Sequence, residues 1–159
     1  MRKIAIFGNS GSGKSTLAKK LANENRLAHL DLDTLAWLPT SPPERKTIPE
    51  SKAEIEQFIK TNKDWVIEGC YADLLAIILT YSTEIIFMDL PIEDCVENAK
   101  NRPWEPHKYV SKDAQDDNLA MLIEWVMQYN KRRDTFSQNA HRAIFDGYKG
   151  KKSRLTCNP

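Results

Sequence analysis

Cysteine and long apolar runs are scarce in this chain of 159 residues, and each shortage excludes a class of protein. The three cysteines, Cys70, Cys95 and Cys157, lie far apart and form no Cys-x-x-Cys pair, which indicates reduced thiols rather than a disulfide framework or a zinc site. No stretch approaches the roughly 18 apolar residues that cross a bilayer, and residues 4–7 are too short for the apolar part of a signal peptide. These features predict a cytoplasmic protein without a membrane anchor.

An excess of charge of one sign is also lacking. The 23 basic and 22 acidic side chains leave a net charge of +1, which argues against direct binding of nucleic acid or anionic lipid over a broad surface. The length suits one domain with its own hydrophobic core. We therefore expect a single domain over residues 1–159, present as a monomer or a homodimer.

Glycine is rare as well, but it is concentrated in one place. Of six glycines in the chain, Gly8, Gly11 and Gly13 fall within six positions, between an apolar strand pattern at residues 3–7 and a helical pattern at residues 17–22. The segment matches the Walker A pattern Gly-x4-Gly-Lys-Ser in its expected strand–loop–helix context. It predicts a phosphate-binding loop made of Gly8, Asn9, Ser10, Gly11, Ser12, Gly13, Lys14, Ser15 and Thr16.

The residue types in this loop have separate tasks. Glycines allow backbone N–H groups to surround a phosphate, and the helix that follows directs its positive end at the same anion. Lys14 is expected to reach the β- and γ-phosphates, and the Ser15 hydroxyl is expected to bind Mg²⁺. The nearest sequence to a guanine-binding Asn-Lys-x-Asp motif, at residues 62–64, has its aspartate one place early, so a GTPase fits poorly.

Strand and helix patterns alternate along the rest of the chain. Strands are predicted at residues 28–31, 65–68, 84–90 and 153–157, and helices at residues 50–61, 72–79, 92–101 and 113–145, the last broken near Asp134. This alternation predicts an α/β fold with a five-stranded parallel sheet and helices on both faces. Two proline-rich segments, residues 39–49 and 102–109, are predicted to be loops.

Two aspartates stand at the end of the second predicted strand. Strand ends in parallel sheets face the ligand crevice, so Asp31 and Asp33 are candidate functional residues. The alternative is that both cap a following helix, with Asp33 as its N-cap. Their spacing from Lys14 resembles the Asp-x-Asp of small P-loop kinases of the shikimate kinase and nucleoside-monophosphate kinase type. That resemblance implies the sheet order 2-3-1-4-5, with Asp31 helping to hold Mg²⁺ and Asp33 meeting the acceptor hydroxyl.

A second phrase extends the resemblance. Residues 65–71, Trp-Val-Ile-Glu-Gly-Cys-Tyr, are similar to the Asp-Gly-aromatic turn of nucleoside-monophosphate kinases, with Glu68 in place of the aspartate. Together with the two aspartates and Trp37, this phrase looks most like bacterial P-loop proteins named DNA topology modulation proteins.

The resemblance also implies roles for two arginines. Arg102 and the proline after it resemble the lid of shikimate kinases, so residues 102–112 would form a lid whose arginine contacts the transferring phosphate. Arg132 matches an arginine that such kinases bring to the substrate or phosphates from the helix after the lid. Either side chain could instead be solvated. Asp89 stands at a Walker B position, where it holds Mg²⁺ through water or caps the next helix.

These observations together predict phosphoryl transfer from Mg-ATP to a small acceptor that carries a hydroxyl or phosphate group. The expected catalytic residues are Lys14, Asp33, Arg102 and Arg132, the expected metal residues are Ser15 and Asp31, and the expected substrate-binding segment is residues 33–62. The alternative is an ATP-binding regulatory or nucleic-acid-associated protein that has no small-molecule acceptor. A kinase forms a phosphorylated acceptor, whereas such a regulator hydrolyses ATP slowly and ignores acceptors.

Overall fold

The computed structural model describes all 159 residues. In chain order its elements are β1 (Lys3–Gly8), α1 (Lys14–Asn25), β2 (Ala28–Asp31), β3 (Trp37–Leu38), β4 (Glu44–Arg45), α2 (Ile48–Thr61), β5 (Trp65–Gly69), α3 (Ala72–Leu79), β6 (Glu84–Met88), α4 (Ile92–Lys100), α5 (Lys112–Asp117), α6 (Leu119–Met127), α7 (Gln138–Gly147) and β7 (Lys151–Leu155). A one-turn 3-10 helix, Leu32–Thr34, follows β2. None of the helices combines the length and apolar character needed to span a bilayer.

The central sheet has five strands, all parallel, in the order β2-β5-β1-β6-β7. Counted along the chain, that is the order 2-3-1-4-5, so the predicted fold class and sheet order are confirmed. Helices cover both faces because the three central strands are buried on both sides and their side chains alternate between two cores. In one core, Phe7 and Phe87 stack with ring centroids 5.2 Å apart. In the other, Ile4 and Met88 pack with side chains of α1, α4 and α6.

The last strand lies two residues earlier than the sequence predicted. Its observed span is Lys151–Leu155 instead of residues 153–157. As the edge strand of the sheet it is largely exposed, so its register depends on charge pairing rather than on an apolar run: Lys151 Nζ lies 3.4 Å from Glu84 Oε2, and Arg154 pairs with Asp89. An apolar pattern therefore locates such a strand poorly.

The predicted long helix over residues 113–145 is three helices. The chain breaks at Asn118 between α5 and α6, and again over residues 128–137 between α6 and α7, which includes the expected position near Asp134. Local capping explains the second break, because the Ser137 hydroxyl accepts a hydrogen bond from the Ala140 N–H at 3.1 Å and starts α7. The apolar periodicity of the segment carries no information about these caps.

Residues 39–49 are not a loop throughout, as their prolines predicted. Strands β3 and β4 form a small antiparallel hairpin in which Trp37 pairs with Arg45. Helix α2 begins at Ile48, where the Thr47 hydroxyl accepts a hydrogen bond from the Glu50 N–H and Pro49 lies in the first turn. Proline is tolerated there because its missing N–H would have had no intrahelical partner.

Candidate functional site

The predicted phosphate loop joins β1 to α1. Gly13 is the N-cap of α1 with φ 89°, a left-handed conformation that favours glycine, and a Cβ there would lie 2.5 Å from Asn158 Nδ2. Helix α1 has no side-chain cap and no acidic residue in its first turn. The N–H groups of Lys14, Ser15 and Thr16 therefore lack acceptors within the helix, and the positive end of the helix dipole is left to attract an anion.

A cavity of about 550 Å³ opens in front of this helix end. Its lining includes Lys14, Ser15, Asp33, Glu68, Arg102 and Lys108, so three of the four predicted catalytic residues share one cavity with the loop. Lys14 arches back over the loop, with its ammonium donating to the Asn9 carbonyl oxygen at 2.7 Å. The arrangement places a cation, free N–H groups and a carboxylate around one polar space.

Glu68 is a site residue to which the sequence analysis gave no role. It is 1% exposed at the end of β5, and its Oε2 accepts a hydrogen bond from Ser15 Oγ at 2.6 Å. His29 Nε2 lies 3.0 Å from the same oxygen. Sequence reasoning missed it because Glu68 comes to the site only through the register of β5 with β2, in which it pairs with Asp31.

The two predicted aspartates have different surroundings. Asp31 Oδ1 accepts a hydrogen bond from the Asp33 N–H at 2.9 Å and so caps the short 3-10 helix, whereas Asp33 caps nothing and no α-helix follows it. The Asp33 carboxylate instead accepts hydrogen bonds from the Tyr71 hydroxyl and, at 2.9 Å, from the Lys108 ammonium. The helix-capping alternative is thus wrong for Asp33.

These surroundings shift the pKa values of the two carboxyl groups in opposite directions. Burial, followed by the negative charges of Glu68 and Asp33, raises the pKa of Asp31. Burial also opposes ionisation of Asp33, but the Lys108 ammonium and the Tyr71 hydroxyl outweigh it and lower the pKa of Asp33. Asp33 is therefore the more firmly ionised of the pair.

The predicted lid passes directly over these carboxylates. Lys108 Nζ lies 3.3 Å from Asp31 Oδ2 and 2.9 Å from Asp33 Oδ2, and 3.3 Å from Glu105 Oε2 within the same segment. Arg102 lines the same cavity as the phosphate loop, and its Nη1 pairs with Glu105 Oε1 at 3.1 Å. The segment thus places the Lys108 ammonium at the strand ends, whereas the Arg102 guanidinium pairs within the segment.

Arg132 is not part of the cavity wall. Its guanidinium carbon lies 3.6 Å from the Trp125 ring centroid, and Nη1 donates to the Trp125 carbonyl oxygen at 2.7 Å. Its Nε and Nη2 are buried without hydrogen-bond partners. Asp134 is its ion-pair partner, with Oδ1 3.9 Å from Nε.

Asp89 has a structural task. Its Oδ2 pairs with Arg154 Nη2 at 2.5 Å and Nε at 2.8 Å, and its Oδ1 accepts from Gln138 Nε2 at 3.0 Å. It does not cap α4, whose N-cap is Pro91 and which has no side-chain cap. Asp89 therefore joins β6 to β7 and α7, and the helix-capping interpretation is wrong.

The oxygen donors at the strand ends suit Mg²⁺. No group of three or more His, Cys, Asp or Glu side chains is arranged to hold a metal ion by itself. Mg²⁺ is usually bound by one or two carboxylates together with substrate phosphates and water, so a site completed by a nucleotide fits this chemistry. Ser15, Asp31 and Glu68 are the hard oxygen donors next to the phosphate loop.

Comparison with known proteins supports the fold and leaves the family open. No protein-family model matches the chain. It is similar to YqaC, an uncharacterized protein of Bacillus subtilis strain 168, with 24% identity over 131 residues that span 81% of this chain and 73% of that protein. It is also similar to the unliganded crystal structure of a sugar kinase from Janibacter sp. HTCC2649, with a TM-score of 0.55, 13% identity, and coverage of 98% of this chain and 85% of that one. At such identity the structural likeness establishes the α/β fold, which resembles that of a kinase.

Proposed function

We propose that this protein transfers a phosphoryl group from Mg-ATP to a small acceptor that carries a hydroxyl or phosphate group. The observation that carries this proposal is the uncapped end of α1, where Lys14 and Ser15 open into the same cavity as Asp33. A sugar kinase with a similar fold supports the reaction class in general.

The donor half of the reaction belongs to the phosphate loop. Its N–H groups and Lys14 would bind the β- and γ-phosphates and stabilise the charge that develops on them. When bound, Mg²⁺ neutralises charge on the phosphate oxygens. Ser15 and Asp31 would hold it, and Glu68 orients Ser15 by accepting its hydroxyl proton in a hydrogen bond, which leaves the Ser15 lone pairs free.

The acceptor half belongs to Asp33. Because its pKa is lowered, Asp33 is ionised at neutral pH and can accept a hydrogen bond from an acceptor hydroxyl, which orients that oxygen toward the phosphate. No protein nucleophile is required, since phosphoryl transfer depends mainly on positioning and charge neutralisation. Residues 33–62 would cover the acceptor, and residues 102–112 would exclude water.

The two arginines would complete the phosphate site. Arg102 lines the cavity and would exchange its Glu105 partner for a phosphate oxygen. Arg132 lies outside the cavity wall, so its guanidinium, which has no hydrogen-bond partner at Nε and Nη2, would have to leave the Trp125 ring to reach a phosphate. Planar guanidinium groups can bridge several phosphate oxygens without losing their charge.

A second candidate function is an ATP-dependent regulator that acts on a protein partner. The observation that favours it is the apolar surface of α6, where Met121 is 70% exposed and Met127 is 53% exposed. Such a protein would bind ATP and hydrolyse it slowly, and it would form no phosphorylated small molecule.

Incubating the protein with labelled Mg-ATP and a panel of hydroxyl-bearing metabolites and nucleotides tests the proposal. We expect label to appear in one acceptor class, identified by mass spectrometry. ATP binding with no labelled acceptor anywhere in a broad panel would favour the regulator instead.

Replacing Lys14 tests this proposal directly. We predict that Lys14→Ala lowers turnover by about 10²-fold or more, because a preorganised charge at the transition state is lost, while the melting temperature changes little. Lys63→Ala, which removes an exposed lysine between α2 and β5, should leave turnover unchanged. Unchanged ATP affinity together with unchanged turnover in Lys14→Ala would contradict the assignment.

A further inference from the structure

Lys108 is the only lysine of the lid segment that reaches the strand ends, and its surroundings are unusual for a lysine in a loop. Its side chain is 19% exposed, and its ammonium lies within 3.3 Å of carboxylate oxygens of Asp31, Asp33 and Glu105. His107 adds a weaker contact, with Nε2 3.7 Å from Asp31 Oδ2. The segment is therefore tied to the end of β2 by charge rather than by apolar packing.

The Lys108 ammonium reduces the repulsion among the carboxylates at the strand ends. Asp31 pairs in register with Glu68 of the neighbouring strand, and Asp33 follows two residues later, so three negative charges that repel one another meet at this edge of the sheet. The Lys108 ammonium lies against two of these carboxylates, 3.3 Å from Asp31 Oδ2 and 2.9 Å from Asp33 Oδ2. Lys108 thus offsets the negative charge of carboxylates that would otherwise repel one another.

The same oxygens are the ones that the proposed function gives to the metal and the acceptor. A divalent cation at Asp31 carries twice the charge of an ammonium, and the two cations repel each other when they share one carboxylate. One of them must then leave. The lysine can leave easily, because it is attached to an exposed loop and Mg²⁺ would be held in addition by nucleotide phosphates.

We propose that Lys108 is an exchangeable counter-ion: it holds the segment 102–111 against Asp31 and Asp33 until Mg-nucleotide binds, and it then yields these carboxylates and releases the segment. This inference rests on the metal site of the proposed function. It adds an order of events, in which nucleotide binds first and the acceptor end becomes accessible afterwards.

Hydrogen–deuterium exchange of residues 102–111 tests the proposal without any turnover. The protein is held with a non-hydrolysable ATP analogue while Mg²⁺ is titrated, and Mg²⁺ binding is followed in parallel by calorimetry. In the wild-type protein we expect exchange of the segment to be slow without Mg²⁺ and faster with it. In Lys108→Met we expect fast exchange at every Mg²⁺ concentration. We also expect the Mg²⁺ concentration at the midpoint to be at least about threefold lower than in the wild-type protein, because a competing positive charge is gone.

Two further variants separate charge from shape. Lys108→Arg keeps the positive charge and should retain slow exchange without metal. Lys63→Met removes an exposed lysine between α2 and β5, outside the segment, and it should behave as the wild-type protein does. If Lys108→Arg exchanged as fast as Lys108→Met, the shape of the lysine rather than its charge would hold the segment, and the proposal would be overturned.

The outcomes distinguish this inference from the function on which it rests. If the wild-type protein does not bind the analogue with Mg²⁺, both proposals fail. If it binds the analogue in a Mg²⁺-dependent way, but the wild-type protein and Lys108→Met share one Mg²⁺ midpoint and one exchange profile, the counter-ion role fails and the proposed function stands. Slower exchange of the wild-type segment on adding Mg²⁺ would also overturn it.

Discussion

At the scale of single residues, Asp31 and Asp33 show how position decides chemistry. The two residues are separated by one position in the chain. Asp31 pairs in register with Glu68 of the neighbouring strand, whereas Asp33 accepts a hydrogen bond from the Tyr71 hydroxyl. Burial and the neighbouring carboxylates raise the pKa of Asp31, whereas the Lys108 ammonium and the Tyr71 hydroxyl lower the pKa of Asp33 against the effect of burial. A multivalent cation suits the first environment, and an acceptor hydroxyl suits the second.

This difference predicts separable effects of two substitutions. Asp31→Asn should weaken the Mg²⁺ dependence of nucleotide binding, because a metal-side charge is removed. Asp33→Asn should leave Mg-ATP affinity unchanged and depress transfer to the acceptor. Calorimetry with and without Mg²⁺, together with a transfer assay, measures both effects, and Asp146→Asn on the exposed side of α7 serves as the control. Two variants that bind Mg-ATP and turn over like the parent would exclude these aspartates from the site.

The sequence predicted contiguous site residues and missed those assembled by the fold. Gly8 to Thr16 are adjacent in the chain, so a pattern search finds the whole loop and the chemistry of each residue. Glu68 is 53 residues from Ser15, and Lys108 reaches Asp31 from a proline-broken loop, so neither contact has a local pattern. Only the register of β2 with β5 brings Glu68 to the site, and that register is a tertiary property.

At the scale of elements, the segment over residues 102–111 carries Arg102, one of the two arginines that the proposed function assigns to the phosphate. We predict that Arg102→Ala lowers turnover at least about a hundredfold, since an arginine on a transferring phosphate contributes about 10³-fold or more in other phosphoryl-transfer systems. Its melting temperature should change little, because an exposed loop contributes little packing. Arg133→Ala, an exposed neighbour of Arg132, is the matched control.

Proteolysis adds an independent measure of this element. The chain between Asn101 and Lys112 should be better protected when an ATP analogue and acceptor are both present than with the Mg-bound analogue alone. Parental activity in Arg102→Ala, or equal cleavage in both conditions, would make the segment an ordinary surface connection.

Helix α7 is anchored by a buried histidine. His141 Nε2 donates to the Cys70 carbonyl oxygen at 2.8 Å, which leaves Nδ1 to accept from the Tyr129 hydroxyl at 2.6 Å. Burial lowers the pKa of His141 to about 4 from its ordinary 6.5. Between these values the unfolded chain binds a proton that the folded protein does not, so the contribution to stability is complete above pH 6.5 and falls as the pH drops toward 4.

Denaturant unfolding at a series of pH values tests this anchor. We predict that lowering the pH from 7 to 4 removes up to about 3 kcal/mol through His141, the equivalent of its pKa shift. His141→Gln should show a correspondingly flatter pH dependence, whereas His107→Gln, at a side chain that is 40% exposed, should keep the parental slope. An unchanged slope in His141→Gln would contradict the prediction.

At the scale of the whole molecule, the sheet order gathers the site from distant parts of the chain. The order β2-β5-β1 places Asp31, Glu68 and the phosphate loop side by side at the carboxyl edge of the sheet, where ligands bind in this class of fold. The opposite side of the loop is held by amides, because Asn98 donates to the Gly11 carbonyl oxygen and Asn158 to that of Ser12, each at 2.9 Å. The alternation of strands and helices predicted the sheet, and the family resemblance implied its order; the amide contacts had no sequence signal.

Nucleotide binding should therefore stabilise the molecule as a whole. A ligand that binds only the folded protein adds about 2.7 kcal/mol at a hundredfold excess over its Kd, which for a domain of this size corresponds to a rise in melting temperature of about 5–10 °C. We predict such a rise with Mg-ATP in a thermal unfolding scan, a smaller one with ATP and a metal chelator, and little change with Mg²⁺ alone, because the metal site is completed by phosphates. Lys14→Ala should lose most of the rise while melting at the parental temperature without ligand. An equal rise in the parent and in Lys14→Ala, together with equal turnover, would show that ATP binds somewhere other than the end of α1.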